Sequence, residues 1–98
     1  MIPTNDILIP MIHFNGDEKS KLMVPRKNIS GLAEVERDGK LSTRCTFNKA
    51  VYYSARWSTE TAEIELPIEQ AQDLIDDIEQ KYLEKRYKQM RESRLNIL

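Results

Sequence analysis

Catalysis needs nucleophiles, bases, paired carboxylates, metal ligands or phosphate cradles, and each leaves a signature in residue type and spacing. This 98-residue chain has a single cysteine, Cys45, and a single histidine, His13. As nucleophile and base they would make the one acyl-transfer pair available. Cys45, however, alternates in phase with Leu41, Thr43 and Phe47, which places it on an inward face, where a lone cysteine is packing material. One cysteine also excludes an internal disulfide and a zinc site built on cysteine pairs. With 16 Asp and Glu residues, an acid–base pair can be drawn between any two of them, so residue type alone selects none. Asp73, Asp76 and Asp77 do not follow the spacing of a calcium loop. Gly16, Gly31 and Gly39 are too scattered for a phosphate loop or a dinucleotide fingerprint. No cofactor and no metal are implied, and the chain is expected not to be an enzyme.

Binding chemistry is better represented. The net charge of −1 conceals a strong segregation. Residues 19–56 carry nine basic and three acidic side chains, residues 60–79 hold eight acids and no base, and residues 80–98 return to +4. Two interaction surfaces follow from this pattern. One is the basic C-terminal stretch with Lys85, Arg86, Tyr87, Lys88, Met90, Arg91 and Arg94, suited to a protein partner or to the acidic 60–79 region of a second copy. The other is a basic sheet face with Arg44, Tyr52 and Arg56, extended by Lys21, Arg26 and Lys27. A cationic surface with an aromatic is the general form of a nucleic-acid platform.

The elements that carry these residues are read from periodicity. Ile68, Ala71, Leu74, Ile75, Ile78 and Tyr82 recur at three- and four-residue steps, so residues 67–94 are predicted to form one amphipathic helix. Pro67 suits its first position, although no side-chain cap precedes it. Acids fill the front half and bases the back, the order that the helix macrodipole favours, and Asp77–Lys81 and Glu84–Lys88 are expected as i,i+4 pairs. Such a helix would be roughly 42 Å long at 1.5 Å per residue. A compact domain of this size spans roughly 33 Å. Its last part is therefore expected to protrude.

Residues 7–66 read as short strands. Residues 7–14 are apolar at both parities, and Pro10 pushes this strand to an edge or a bulge, where it could accept another strand. Asn15-Gly16 and Asp38-Gly39 are hairpin turns. A further turn is expected at Asn48-Lys49, followed by a strand with Val51, Tyr53, Ala55 and Trp57 inward. Burying Trp57 would contribute on the order of 3 kcal/mol, so Trp57→Ala is expected to be among the most damaging changes. Glu34, Glu36, Glu63 and Glu65 are placed on the outer face, where they would pair with the arginines. The sum is a single α+β domain over residues 1–98, an antiparallel meander of five to six strands packed against one long C-terminal helix, with a small curled barrel as the alternative closure.

Asn28-Ile29-Ser30 is similar to the (Asp/Asn)-x-Ser element of PilZ domains, small barrels followed by a helix that bind a cyclic dinucleotide. The resemblance ends there, because Ala33 stands where that element has glycine and no R-x-x-x-R precedes it, so no ligand is carried over. The longest apolar run, residues 7–12, is far too short to span a bilayer and lacks the flanks of a secretory signal, which implies a cytoplasmic protein with no membrane partner. The expectation is a small protein-binding or regulatory module acting through its C-terminal helix and a sheet edge, either self-associating or an accessory or inhibitor protein of the phage type. Nucleic-acid binding is the alternative.

Overall fold

Strand formation begins at the two-residue turns. Asn15 pairs with Glu18 across Gly16-Asp17, with Gly16 at φ 63°, and Arg37 pairs with Lys40 across Asp38 (φ 53°) and Gly39 (φ 77°). Two consecutive left-handed residues are what a type I′ hairpin turn requires, and its twist matches that of the flanking strands. In the computed structural model, which describes the backbone of residues 7–97 and the side chains of residues 7–91, these turns join β1 (Leu8–Asn15) to β2 (Glu18–Pro25) and β3 (Ile29–Arg37) to β4 (Lys40–Tyr52). A short 3₁₀ turn, Arg26–Asn28, links the two hairpins. β5 (Ser58–Ile64) follows β4, and α1 (Ile68–Ile97) ends the chain. The expected leader, residues 1–6, lies outside the described residues, as do the side chains of Arg94, Leu95, Ile97 and Leu98.

The sheet is antiparallel, open and five-stranded, in the order β2-β1-β5-β4-β3. This is the expected α+β architecture, with a difference in wiring. β1 is not an edge strand, because β5 returns beside it through Ile12 and Glu63. Pro10 is accommodated because β5 ends at Ile64, so β1 has no ladder partner on that side at Pro10. The edges are β2 and β3.

One face carries the core. Ile9 and Met11 of β1, Leu22 and Val24 of β2, Cys45 and Phe47 of β4, and Ala62 and Ile64 of β5 are buried together with Ala71 and Ile75 of α1. On the even-numbered side of β1 Leu8 and Pro10 are exposed and Ile12 and Phe14 half-buried, so the odd-numbered side carries the core. Leu41 shares the helix face but is exposed, since it stands one row beyond Glu34 and Thr43, where α1 has not begun.

The largest departures lie between β4 and β5. No turn forms at Asn48-Lys49. β4 runs through, and residues 47–50 stand opposite Glu60 alone, a large bulge between Thr46–Thr61 and Val51–Thr59. The chain reverses later, where Tyr53 and Ser54 N–H donate to the Trp57 carbonyl at 3.1 and 3.4 Å. Ser54 Oγ accepts from the N–H groups of Arg56 and Trp57. These local bonds replace the ladder and break the alternation. Trp57 therefore points outward and is 64% exposed.

The consequence for stability reverses the expectation from sequence. Ile75→Ala should destabilise by about 2–5 kcal/mol, whereas Trp57→Ala should change stability by less than about 1 kcal/mol. Urea unfolding followed by circular dichroism measures both.

Candidate functional site

The side chains expected to bind a partner sit on α1, so its placement decides what they can do. Pro67 is not the first helical residue; its carbonyl instead accepts the Ala71 N–H at 2.9 Å, which makes it the cap position. The missing side-chain cap comes from the sheet, where Glu34 Oε2 accepts the Ile68 N–H at 3.0 Å. Glu34 was expected on the outer face. Register places Leu32, Glu34 and Glu36 with Cys45, Thr43 and Leu41 on the helix side. A carboxylate there meets both an unpaired N–H and the positive end of the macrodipole. Farther along, Arg26 Nε lies 3.4 Å from Glu79 and ties the helix to the link between hairpins. Asp77 and Lys81 form the expected pair at 3.0 Å. Glu84 does not pair with Lys88 but accepts from Gln80 Nε2 at 3.4 Å.

Among the described residues Tyr82 is the last apolar helix side chain packed against the core. Beyond it Leu83, Tyr87 and Met90 are 49%, 70% and 50% exposed. At steps of four and three residues they form one apolar stripe, about a third of a turn round from Ala71 and Ile75. Lys85, Lys88 and Arg91 are exposed and Arg86 is half-buried, with no acidic partner for any of the four among the described residues. The side chain of Arg94 is outside the described residues. The molecule measures 57 × 32 × 20 Å, with a radius of gyration of 16.1 Å. A compact chain of this length would have about 13 Å.

The helix-free face of the sheet is held by a different device. Glu63 lies on the outer face and pairs with an arginine, as expected, but it is 5% exposed; it accepts from Arg37 Nε at 2.9 Å and from Nη2, and from Ser42 Oγ at 3.0 Å. The Arg37 guanidinium lies 4.0 Å from the Phe14 ring centre, and Lys19 Nζ lies 5.5 Å from it. Hydrogen bonding from Arg37 holds the Glu63 carboxyl below its ordinary range against the opposing effect of burial, and Ser42 and Arg44 add to this. The same bond raises Arg37.

The nucleic-acid set is brought together in part: Lys21 and Arg44 share one cross-strand row with Ile12 and Glu63 on the helix-free face, while Arg26, Lys27 and Arg56 lie off it. Lys21 and Tyr52 share the wall of an apolar groove of about 700 Å³ with Pro10, Ile12, Met23 and Tyr53. Arg44 stands opposite Glu63, and Arg26 is engaged by Glu79. Lys27 is exposed on the 3₁₀ turn and Arg56 on the β4–β5 reversal. As for chemistry, burial pushes the Cys45 thiol up to about 11, with the Glu63 charge adding, so thiolate is scarce at neutral pH. His13 stacks on Tyr53, ring centres 4.6 Å apart. Asn28 of the PilZ-like element is buried, and Ser30 donates to the Thr46 carbonyl at 3.1 Å. Among the described residues no three His, Cys, Asp or Glu converge as a metal site, and no helix is long and apolar enough to cross a membrane. No family model, no curated protein and no solved structure matches the chain.

Two features had no signal in the sequence. Arg37 and Glu63 are 26 residues apart, and nothing marks this pair among the other charges. The exposure of Trp57 depends on a reversal that alternation cannot show.

A folded-state carboxyl pKa below the unfolded value gives stability that is full above the unfolded pKa and is lost as pH falls through the folded one. Glu63→Gln should therefore cost on the order of 1–3 kcal/mol near neutral pH. The loss should shrink below the ordinary carboxyl value of 4.5. Urea unfolding of both proteins between neutral pH and the acid limit reads the difference.

Proposed function

We propose that this chain is a small non-enzymatic protein-binding module, of a regulatory or accessory kind, that engages its partner through the C-terminal half of α1. The observation that carries this reading is the exposed stripe of Leu83, Tyr87 and Met90, bordered by cations with no acidic partner among the described residues. Anchors spaced by three and four residues are what a helix offers when it lies in an apolar groove. Tyr, Met and Arg are also the types enriched where protein surfaces meet. Lys85, Arg86, Lys88 and Arg91 would orient the encounter with an acidic surface. The strand near Ile7 no longer supports the reading, since β1 lies between β2 and β5.

A photo-crosslinking amino acid at position 87, expressed in the native host, should give a discrete adduct, and the same group at exposed Glu60 should not. An absent adduct at 87, or identical adducts at both positions, would overturn the proposal. A chain ending at Leu83 should still unfold cooperatively by urea, since Tyr82 is the last apolar side chain packed on the core among the described residues, while losing the interaction.

A further inference from the structure

The charges of α1 are divided about its own midpoint. The helix spans Ile68–Ile97, so its centre falls between Tyr82 and Leu83. The front half carries five acids and one base, the back half five bases and two acids. Asp73 and Asp76 in front have no cationic partner, and Arg86 and Arg91 behind have no acidic one, among the described residues. Within one chain they cannot meet, because Asp73 and Arg91 are separated by roughly 27 Å along the axis.

We infer that the partner of this helix is a second copy of the same chain, packed antiparallel along α1 about a twofold axis at the helix midpoint. The inference rests on the reading of α1 as the binding element and names what it binds. An isologous interface needs a surface that is complementary to itself under that axis, and a helix with opposite charge on its two halves meets this condition. Antiparallel overlap about the midpoint sets residue i beside residue 165 − i. Arg86 then falls beside Glu79 of the second copy, which Arg26 of its own chain also approaches, and Arg91 falls opposite Leu74, one residue from Asp73, which shares the azimuth of Arg91 after about five helical turns. The apolar stripe lies between these flanks. Leu83 meets Leu83 across the axis, and Tyr87 enters the hole formed by Asp76, Glu79, Gln80 and Leu83 of the other copy.

The sheet leaves room for this. The stripe lies about a third of a turn from the core-facing side, so a second helix approaches the free face of α1 and not the domain beneath it. Overlap of the whole helix gives a contact roughly 45 Å long. A parallel arrangement would set acids against acids and bases against bases, so the same charges that favour the antiparallel pair oppose the alternative.

Light scattering after size exclusion reads the result on the full chain. At about 100 μM and low salt the mass should be that of two chains, falling toward one chain as salt is raised to about 1 M, where the screening length is only about 3 Å. Asp73→Lys should give the mass of one chain, as should Arg91→Glu, both with unchanged circular dichroism. An equimolar mixture of the two variants should restore two chains. A wild-type mass of one chain at 100 μM would overturn the second-copy inference, as would a mixture that stays at one chain. In that case an adduct at position 87 to a different protein leaves the helix-binding reading standing, and no adduct removes both. A two-chain mass that survives both reversals would place the interface away from α1 and overturn the inference as well.

Discussion

An open five-stranded sheet with one apolar face is unstable in water until something covers that face, and here one helix does so. Ala71 and Ile75 are the fully buried contacts, with Leu74, Ile78 and Tyr82 packed at their margin. The cover is narrow, about four turns of a much longer helix. Every feature of the core side follows from that contact. Ile9, Met11, Val24, Cys45, Phe47 and Ile64 are buried where the helix and sheet meet, and Leu41, beyond the start of the helix, is not. The sheet in turn completes the helix, since Glu34 supplies the acceptor that no residue before Pro67 could. Neither element is finished without the other.

Among the described residues no second layer covers the opposite face, which is held by charge. Glu63 sits under Arg37 and Ser42, with Phe14 beneath the guanidinium. This ties the end of β3 to β5 and β1 and shields apolar atoms that no helix reaches. A buried ion pair is rarely a large source of net stability, because desolvation offsets much of the attraction. Breaking one partner is another matter, since the survivor is left without its counter-charge. The arrangement therefore acts more as a lock on strand order than as a store of free energy. It also withdraws Arg37 and weakens the field around Arg44, which lowers the standing of this face as a platform for phosphates.

What remains exposed is α1 from Leu83 to Arg91, apart from the half-buried Arg86. Among the described residues its apolar packing side chains stop at Tyr82 while its helical geometry continues, and Leu83, Tyr87 and Met90 stand in solvent beside cations with no acidic partner among those residues. A segment of this kind carries a cost in exposed apolar area and in like-charge repulsion that a partner would relieve. The apolar groove by Lys21 and Tyr52 and the outward Trp57 are further exposed aromatic surface, but they lack the charge division that singles out the helix.

Sequence alone determined the class of the fold, the two hairpin turns, the inward placing of Cys45, Phe47 and Ile64, and the helix with its divided charge. Each of these is a local matter, fixed by a period of 3.6 or 2 or by a residue pair that tolerates positive φ. The candidate surface was equally legible, since Lys85, Arg86, Tyr87, Lys88, Met90 and Arg91 come from one unbroken helix. Tertiary structure decided the rest. The position of β1 inside the sheet, the helix-side location of Glu34, the Arg37–Glu63 pair and the outward turn of Trp57 all depend on which distant strands lie side by side. Strand alternation is symmetric, so it shows that two faces differ without showing which of them a helix will cover. That choice belongs to contacts between residues far apart in the chain, and no local pattern contains it.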